Sequence, residues 1–193
     1  MQAIAPAIRA SYAKTVIASM KQRPAEERDR LLGRLDPGFR ASVREYSLLD
    51  WMAAGEFARL PQLVLDTIGP ARAKLFWRAN LLSSLERTLL RPLRLGAMAL
   101  YGKSPGSLLR MTPQAWELVS RNCGRCHTSE LPDGMLLRFE GLPSEVCNPG
   151  MLLLWSGGSE SCIERMKFAG HADAEFGPPG VAFVNAHWRA SGS

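Results

Sequence analysis

The sequence predicts an α+β fold in which an N-terminal helical layer packs on a C-terminal four-stranded antiparallel sheet. Three observations predict it. Residues 7–101 carry apolar side chains at helical spacing between proline and glycine breaks, residues 135–140 and 171–188 alternate with a period of two beside turn signals, and one helical stretch separates the two alternating regions. The length of 193 residues favours one domain over the whole chain, with 1–114 as the helical part and 115–189 as hairpin, helix and hairpin.

In the helical part, Ile8, Tyr12, Val16, Ile17 and Met20 share one face of a helix over 7–22. Pro24, with Glu26 and Glu27 behind it, opens a second helix for which Gly33 serves as terminator. Asp36 and Pro37 open a third, running to about Tyr46. The stretch 47–69 reads as a turn near 50–54 and a helix bent or restarted at Pro61 and ended by Gly69. Pro70 starts a helix whose stripe is Leu75, Ala79, Leu82, Leu85 and Leu89, expected to face the core. Pro92 interrupts it, an apolar helix follows over 93–101, and 102–115 reads as turns around one helical turn at Leu108 and Leu109.

From Trp116 the chain reads as extended. Leu131-Pro132-Asp133-Gly134 marks the first hairpin turn, and Met135, Leu137 and Phe139 alternate with Leu136, Arg138 and Glu140. Asn148 and Pro149 are cap and first residue of a helix that Gly170 is placed to end. Gly157, Gly158 and Ser159 within it either admit another backbone or break the helix in two. Gly177-Pro178-Pro179-Gly180 turns the last hairpin.

Charge and composition narrow the function. Of 24 Lys and Arg, 18 lie in 1–114 against 9 acids there, so the helical part is basic and the remainder slightly acidic. The cations are scattered instead of running in clusters, which argues against nucleic acid and, more weakly, against a membrane surface. No stretch is apolar for the roughly 18 residues of a membrane span, and Lys14, Ser11, Thr15 and Ser19 interrupt any secretory core near the start. A cytoplasmic protein with free thiols is the expectation.

Cys123-Gly124-Arg125-Cys126-His127 is the most specific local string. Two thiols and a histidine at that spacing match the attachment motif of c-type haem, half of a zinc site, or a redox dithiol. A zinc reading needs four ligands drawn from Cys123, Cys126, His127, Cys147 and Cys162. Hydrolase, phosphate-loop, dinucleotide and zinc-protease motifs are absent, so an enzyme is the least favoured class.

The order of elements, together with Leu35-Asp36, Trp51, Gly69, Tyr101-Gly102-Lys103-Ser104-Pro105, Trp116, Phe139-Glu140-Gly141-Leu142-Pro143 and Val181 to Trp188, resembles a known superfamily. It joins the four-vinyl-reductase domain, haem nitric-oxide sensors and small TRAPP vesicle-tethering subunits, and the chain looks most like the myxobacterial paralogue family of unknown function within it. The resemblance implies a non-catalytic sensor-like or assembly module, often dimeric, that binds a small hydrophobic molecule or a protein partner. It also argues against haem here, because the family's helical proximal histidine and Tyr-x-Ser-x-Arg motif have no counterpart among His127, His171, His187 and Tyr101. As a sensor, the chain should hold a pocket of roughly 300 Å³ or more between the Pro70 helix and the sheet, lined by Phe76, Phe139, Trp155 and Phe183. As an assembly module it should expose a flat apolar patch instead.

Overall fold

The computed structural model describes residues 5–84 and 91–190. The last four predicted strands are present and form one antiparallel sheet. Strands β4 (Arg125–Leu131), β5 (Gly134–Glu140), β6 (Phe168–Phe176) and β7 (Val181–Ala190) lie in the order β4-β5-β7-β6. Each hairpin pairs with itself, and the two join through β5 and β7, where Phe139 stands opposite Ala182 and Leu137 opposite Val184.

A second, three-stranded sheet was not legible in the sequence. It consists of β1 (Ala7–Arg9), β2 (Trp51–Ala53) and β3 (Ser120–Arg121), with β1 in the centre. Strands of two or three residues are too short to show a period, and each abuts a helix that supplies the stronger signal.

Helix α1 (Ala10–Lys21) starts directly after β1, and α2 (Ala25–Arg34) runs through Gly33 instead of stopping there. The terminator reading of Gly33 fails because the chain turns at Leu35, in an extended conformation, without needing a left-handed residue. Asp36 caps α3 (Pro37–Glu45) as expected, its carboxylate accepting the Phe39 amide at 2.7 Å.

Helix α4 (Ala54–Ile68) passes through Pro61 and ends at Gly69, whose φ of 77° is the left-handed stop the sequence implied. Helix α5 (Pro70–Ser84) buries Ala73, Phe76, Trp77 and Asn80. Leu75 is exposed, so the predicted stripe lies on the wrong side; Leu85 and Leu89 fall outside the described residues. The aromatic pair Phe76–Trp77 outweighs the leucines, since two rings bury more apolar area than the stripe residues do.

Helices α6 (Arg91–Tyr101), α7 (Pro105–Leu109) and α8 (Thr112–Val119) follow. Helix α8 takes Trp116, which the sequence reading had placed in an extended run. The long helix α9 (Pro149–Arg165) is capped by the Asn148 side chain, which accepts the Met151 amide at 3.1 Å. It is continuous across Gly157 and Gly158 and ends at Lys167, whose φ is 61°. Gly170 therefore belongs to β6, where an added Cβ would stand 2.2 Å from the His187 carbonyl oxygen.

Helix α9 is the centre of the layers. One side packs on β6 and β7, whose facing residues Ala172, Ala182, Val184 and Ala186 are small and buried. The other packs on α5 so closely that a Cβ at Gly157 would sit 2.6 Å from the Lys74 carbonyl oxygen. Small residues on both sides let the three layers approach without voids.

Candidate functional site

The most apolar pocket among the described residues lies where α1, α4, α7 and α8 meet β5 and α9, apart from a larger polar cleft of about 370 Å³ beside Asp36, Glu56 and Arg59. The apolar pocket is a cavity of about 140 Å³. Phe139 projects into it from β5 because odd-numbered positions of that strand, Met135, Leu137 and Phe139, face the helices. Trp155 comes from α9 and stacks on Phe139, with ring centroids 4.7 Å apart and planes at 15°. Trp116 from α8 stands edge-on to both rings, at 5.5 Å and 6.2 Å. Three packed rings form one rigid wall.

Opposite them are Tyr12, Phe57, Leu108, Leu109, Met111 and Met151, with Ser159 and Cys162 one turn apart on α9. Among the described residues, the only formally charged side chain in the wall is Arg94. Burial pushes the Cys162 thiol up to about 12 and raises the Tyr12 phenol above its ordinary range, so both stay protonated. The Nε1 atoms of Trp116 and Trp155 are buried with no hydrogen-bond partner among the described residues. The described residues of the wall thus offer apolar contact and N–H donors.

Of the four aromatic residues proposed for a pocket, Phe139 and Trp155 line this cavity. Phe76 does not: it is buried on α5 against Trp77, on the far side of α9. Phe183 does not either. The inward residues of β7 are Ala182, Val184 and Ala186, so alternation turns Phe183 to the outer face, where Arg138 lies 6.0 Å from its ring. Nor is the space bounded mainly by the described residues of the Pro70 helix, of which only Leu81 reaches it. Its volume is also less than half of the roughly 300 Å³ expected of a general ligand pocket.

Sequence reasoning missed Trp116, Met111 and Tyr12. The signal existed for the first: Thr112, Ala115, Trp116 and Val119 follow the i, i+3, i+4, i+7 spacing of a helical face, and all four line the cavity.

The cysteines do not converge. Cys123 lies in the turn before β4 with its thiol directed at the Ala7 and Arg121 carbonyls, at 3.5 Å and 3.3 Å. Cys126 is buried on β4 opposite Phe139, Cys147 is half-buried with its thiol on the Pro143 carbonyl, and Cys162 lines the cavity. His127 points to the outer face beside Glu140, at 3.5 Å. Among the described residues no three His, Cys, Asp or Glu side chains are grouped to hold a metal. The zinc ligand set is therefore not assembled: Cys126 and His127, being adjacent on a strand, face opposite sides of the sheet.

Neither a protein-family model nor a curated protein matches the chain. Solved structures do match in fold. The unliganded Fe(II) H-NOX protein of K. algicida superposes with a TM-score of 0.64 at 11% identity, covering 95% of this chain and 98% of that one. An H-NOX protein studied for haem distortion gives 0.62 at 12%, covering 96% of each chain. The oxygen complex of an oxygen-binding H-NOX domain related to soluble guanylate cyclases gives 0.60 at 12%, covering 94% and 95%.

These neighbours correct the expectation that argued against haem, because the fold is shared with iron- and haem-containing H-NOX structures along nearly the whole chain. The motif departures do not remove the chain from that architecture. The wall itself differs: none of the three histidines lines the cavity, and its donor atoms for iron are those of Tyr12, Met111, Met151 and Cys162. A volume of about 140 Å³ matches a single-ring ligand such as benzene, which fills an engineered apolar cavity of similar size in another protein. The likeness to the haem-containing H-NOX structures is one of fold, and the narrower myxobacterial likeness has no matching family model. The chain has the fold of H-NOX domains.

Proposed function

We infer that the chain is a non-catalytic, sensor-like module that takes a small hydrophobic ligand of single-ring size in the cavity between its helical layer and its sheet. The observation that carries this reading is the rigid Phe139–Trp155–Trp116 wall facing a space of about 140 Å³. Packed interiors leave few voids larger than a water molecule, so a space of this size beside ordered aromatic rings is a specific feature. The H-NOX neighbours support a sensor by fold analogy alone.

Two of the five tryptophans line the cavity, so its occupancy is readable by intrinsic fluorescence. Titration with toluene should give a saturable change in tryptophan emission and raise Tm, and Trp155→Ala should abolish the change. A titration that stays linear, with Tm unmoved, would remove the ligand-binding reading.

Haem is the cofactor class that the fold neighbours bring to this chain. Protein purified without a metal-affinity tag, examined by absorption spectrum and elemental analysis, separates a haem-loaded form with a Soret band from one holding only a small apolar ligand.

A protein partner, including a second copy, is the second reading. Leu48, Leu49, Leu75, Leu95 and Leu100 are exposed, two of them at 67% and 72% in the loop before β2. Light scattering over a concentration series tests self-association directly. No described helix is long and apolar enough to cross a membrane, and a cytoplasmic location is proposed on the free cysteines.

A further inference from the structure

We propose that helix α6 (Arg91–Tyr101) is an interfacial docking element that lies on an anionic lipid bilayer, its exposed leucines entering the acyl boundary and the cations around them meeting acidic headgroups. The inference is independent of what fills the cavity.

The first observation is the orientation of the helix. A surface helix ordinarily turns its apolar stripe to the core and its charges to water. In α6, Ala97 is the one buried residue among those described. Arg91, Leu95 and Ala99 recur every four residues along the solvent face, with Pro92, Leu100 and Tyr101 exposed beside them. Leu95 is 50% exposed and Leu100 is 73% exposed. Arg94 is turned the other way and forms part of the cavity wall. A helix with leucines outward and an arginine inward forgoes apolar burial unless another surface covers its outer face.

The second observation is charge. The cations are scattered over the chain as a whole, but residues 91–116 hold Arg91, Arg94, Lys103 and Arg110 with no Asp or Glu among them. Arg91 and Lys103 are exposed at the two ends of the apolar stripe. Arg110 stands 5.3 Å from the Tyr101 ring and pairs with Glu130, the acid that reaches this end from β4. Cations close to an acidic membrane surface each add to the attraction, and a tyrosine suits the headgroup level, with its ring in apolar surroundings and its hydroxyl in water.

Geometry favours a bilayer over other occupants. Eleven residues make a helix about 16 Å long, against the roughly 30 Å of a hydrocarbon core, so α6 can lie on a bilayer and not cross it. Two-fold contact with a second copy would bring Arg91 and Lys103 of both chains together on a face whose own helix carries no acid, which repels. A folded protein partner needs about 800 Å² on each side. One convex helix offers a narrow stripe, which mobile acyl chains can surround.

Flotation of the full chain with lipid vesicles is the test. Vesicles of phosphatidylcholine with about one-third phosphatidylglycerol should carry the chain, and phosphatidylcholine alone should bind it about tenfold less. Sodium chloride at about 0.5 M should release most of the bound chain. Leu95→Ser combined with Leu100→Ser should weaken binding about tenfold, and Arg91→Gln combined with Lys103→Gln severalfold. All four side chains are exposed, so these changes leave the core untouched. Hydrogen exchange of the unaltered chain locates the contact, with anionic vesicles expected to protect residues 91–103. Equal binding to both kinds of vesicle, binding to neither, or protection confined to another segment would each overturn the proposal. Self-association through this face, with vesicles left unbound, would overturn it as well.

Discussion

Helix α9 has two flanks that are packed in opposite ways. Toward α5, Gly157 brings backbone against backbone, and the Lys74 ammonium reaches the Glu160 carboxylate at 2.8 Å. Glu160 also accepts the Ala172 amide at 3.2 Å, tying α5, α9 and β6 together. Toward α8, the same helix turns Trp155, Ser159 and Cys162 to open space. A Cβ at Gly158, on that side, would meet only the end of the Leu81 side chain at 3.1 Å. A helix clamped on one flank can hold a cavity on the other, because collapse of the cavity would require α9 to leave contacts that have no slack.

The contrast can be broken first on the clamped flank. Gly157→Val forces α5 and α9 apart and should cost about 3 kcal/mol of unfolding free energy, measured by urea denaturation. An unchanged midpoint would mean the flank is not sealed. Lys74→Met should cost about 2 kcal/mol, because it leaves the largely buried Glu160 without its cation.

The open flank carries a pH signature. Burial lifts the Cys162 and Cys126 thiols from 9.0 to about 12 in the folded chain. A raised pKa contributes stability that is complete below the unfolded value and is lost as pH climbs toward the folded one. Stability should therefore fall between pH 9 and 12 by about 1.4 kcal/mol per pH unit for each such thiol. Cys162→Ala should flatten that fall by one thiol's share, as read from denaturation at pH 8, 9.5 and 10.5. The smallest effect is expected from filling the space. Ala115→Leu should change stability by about 1 kcal/mol or less, in the favourable direction, while abolishing the fluorescence response to toluene.

Legibility followed the range of the interaction. The Asp36 and Asn148 caps, the Gly69 stop and both hairpin turns are local hydrogen-bonding and φ preferences, and they were read correctly from adjacent residues. The inward parity of Phe139 was readable from alternation on β5. Phe183 was misplaced because both of its strand's faces carry apolar residues, and only the closeness of α9 shows that the alanine face turns inward. The cysteine string drew attention by spacing alone, whereas strand geometry sends Cys126 and His127 to opposite faces.

By itself the sequence determined the α+β class, the order of the hairpin, helix and hairpin, and the caps and turns that bound most elements, since these depend on neighbours within a few residues. Only the tertiary structure decided which face of α5 is buried, that β1, β2 and β3 form a second sheet, and that Trp116 from α8, Phe139 from β5 and Trp155 from α9 meet around one space. Those outcomes depend on contacts between elements distant in the chain, where close packing of particular shapes outweighs any local preference.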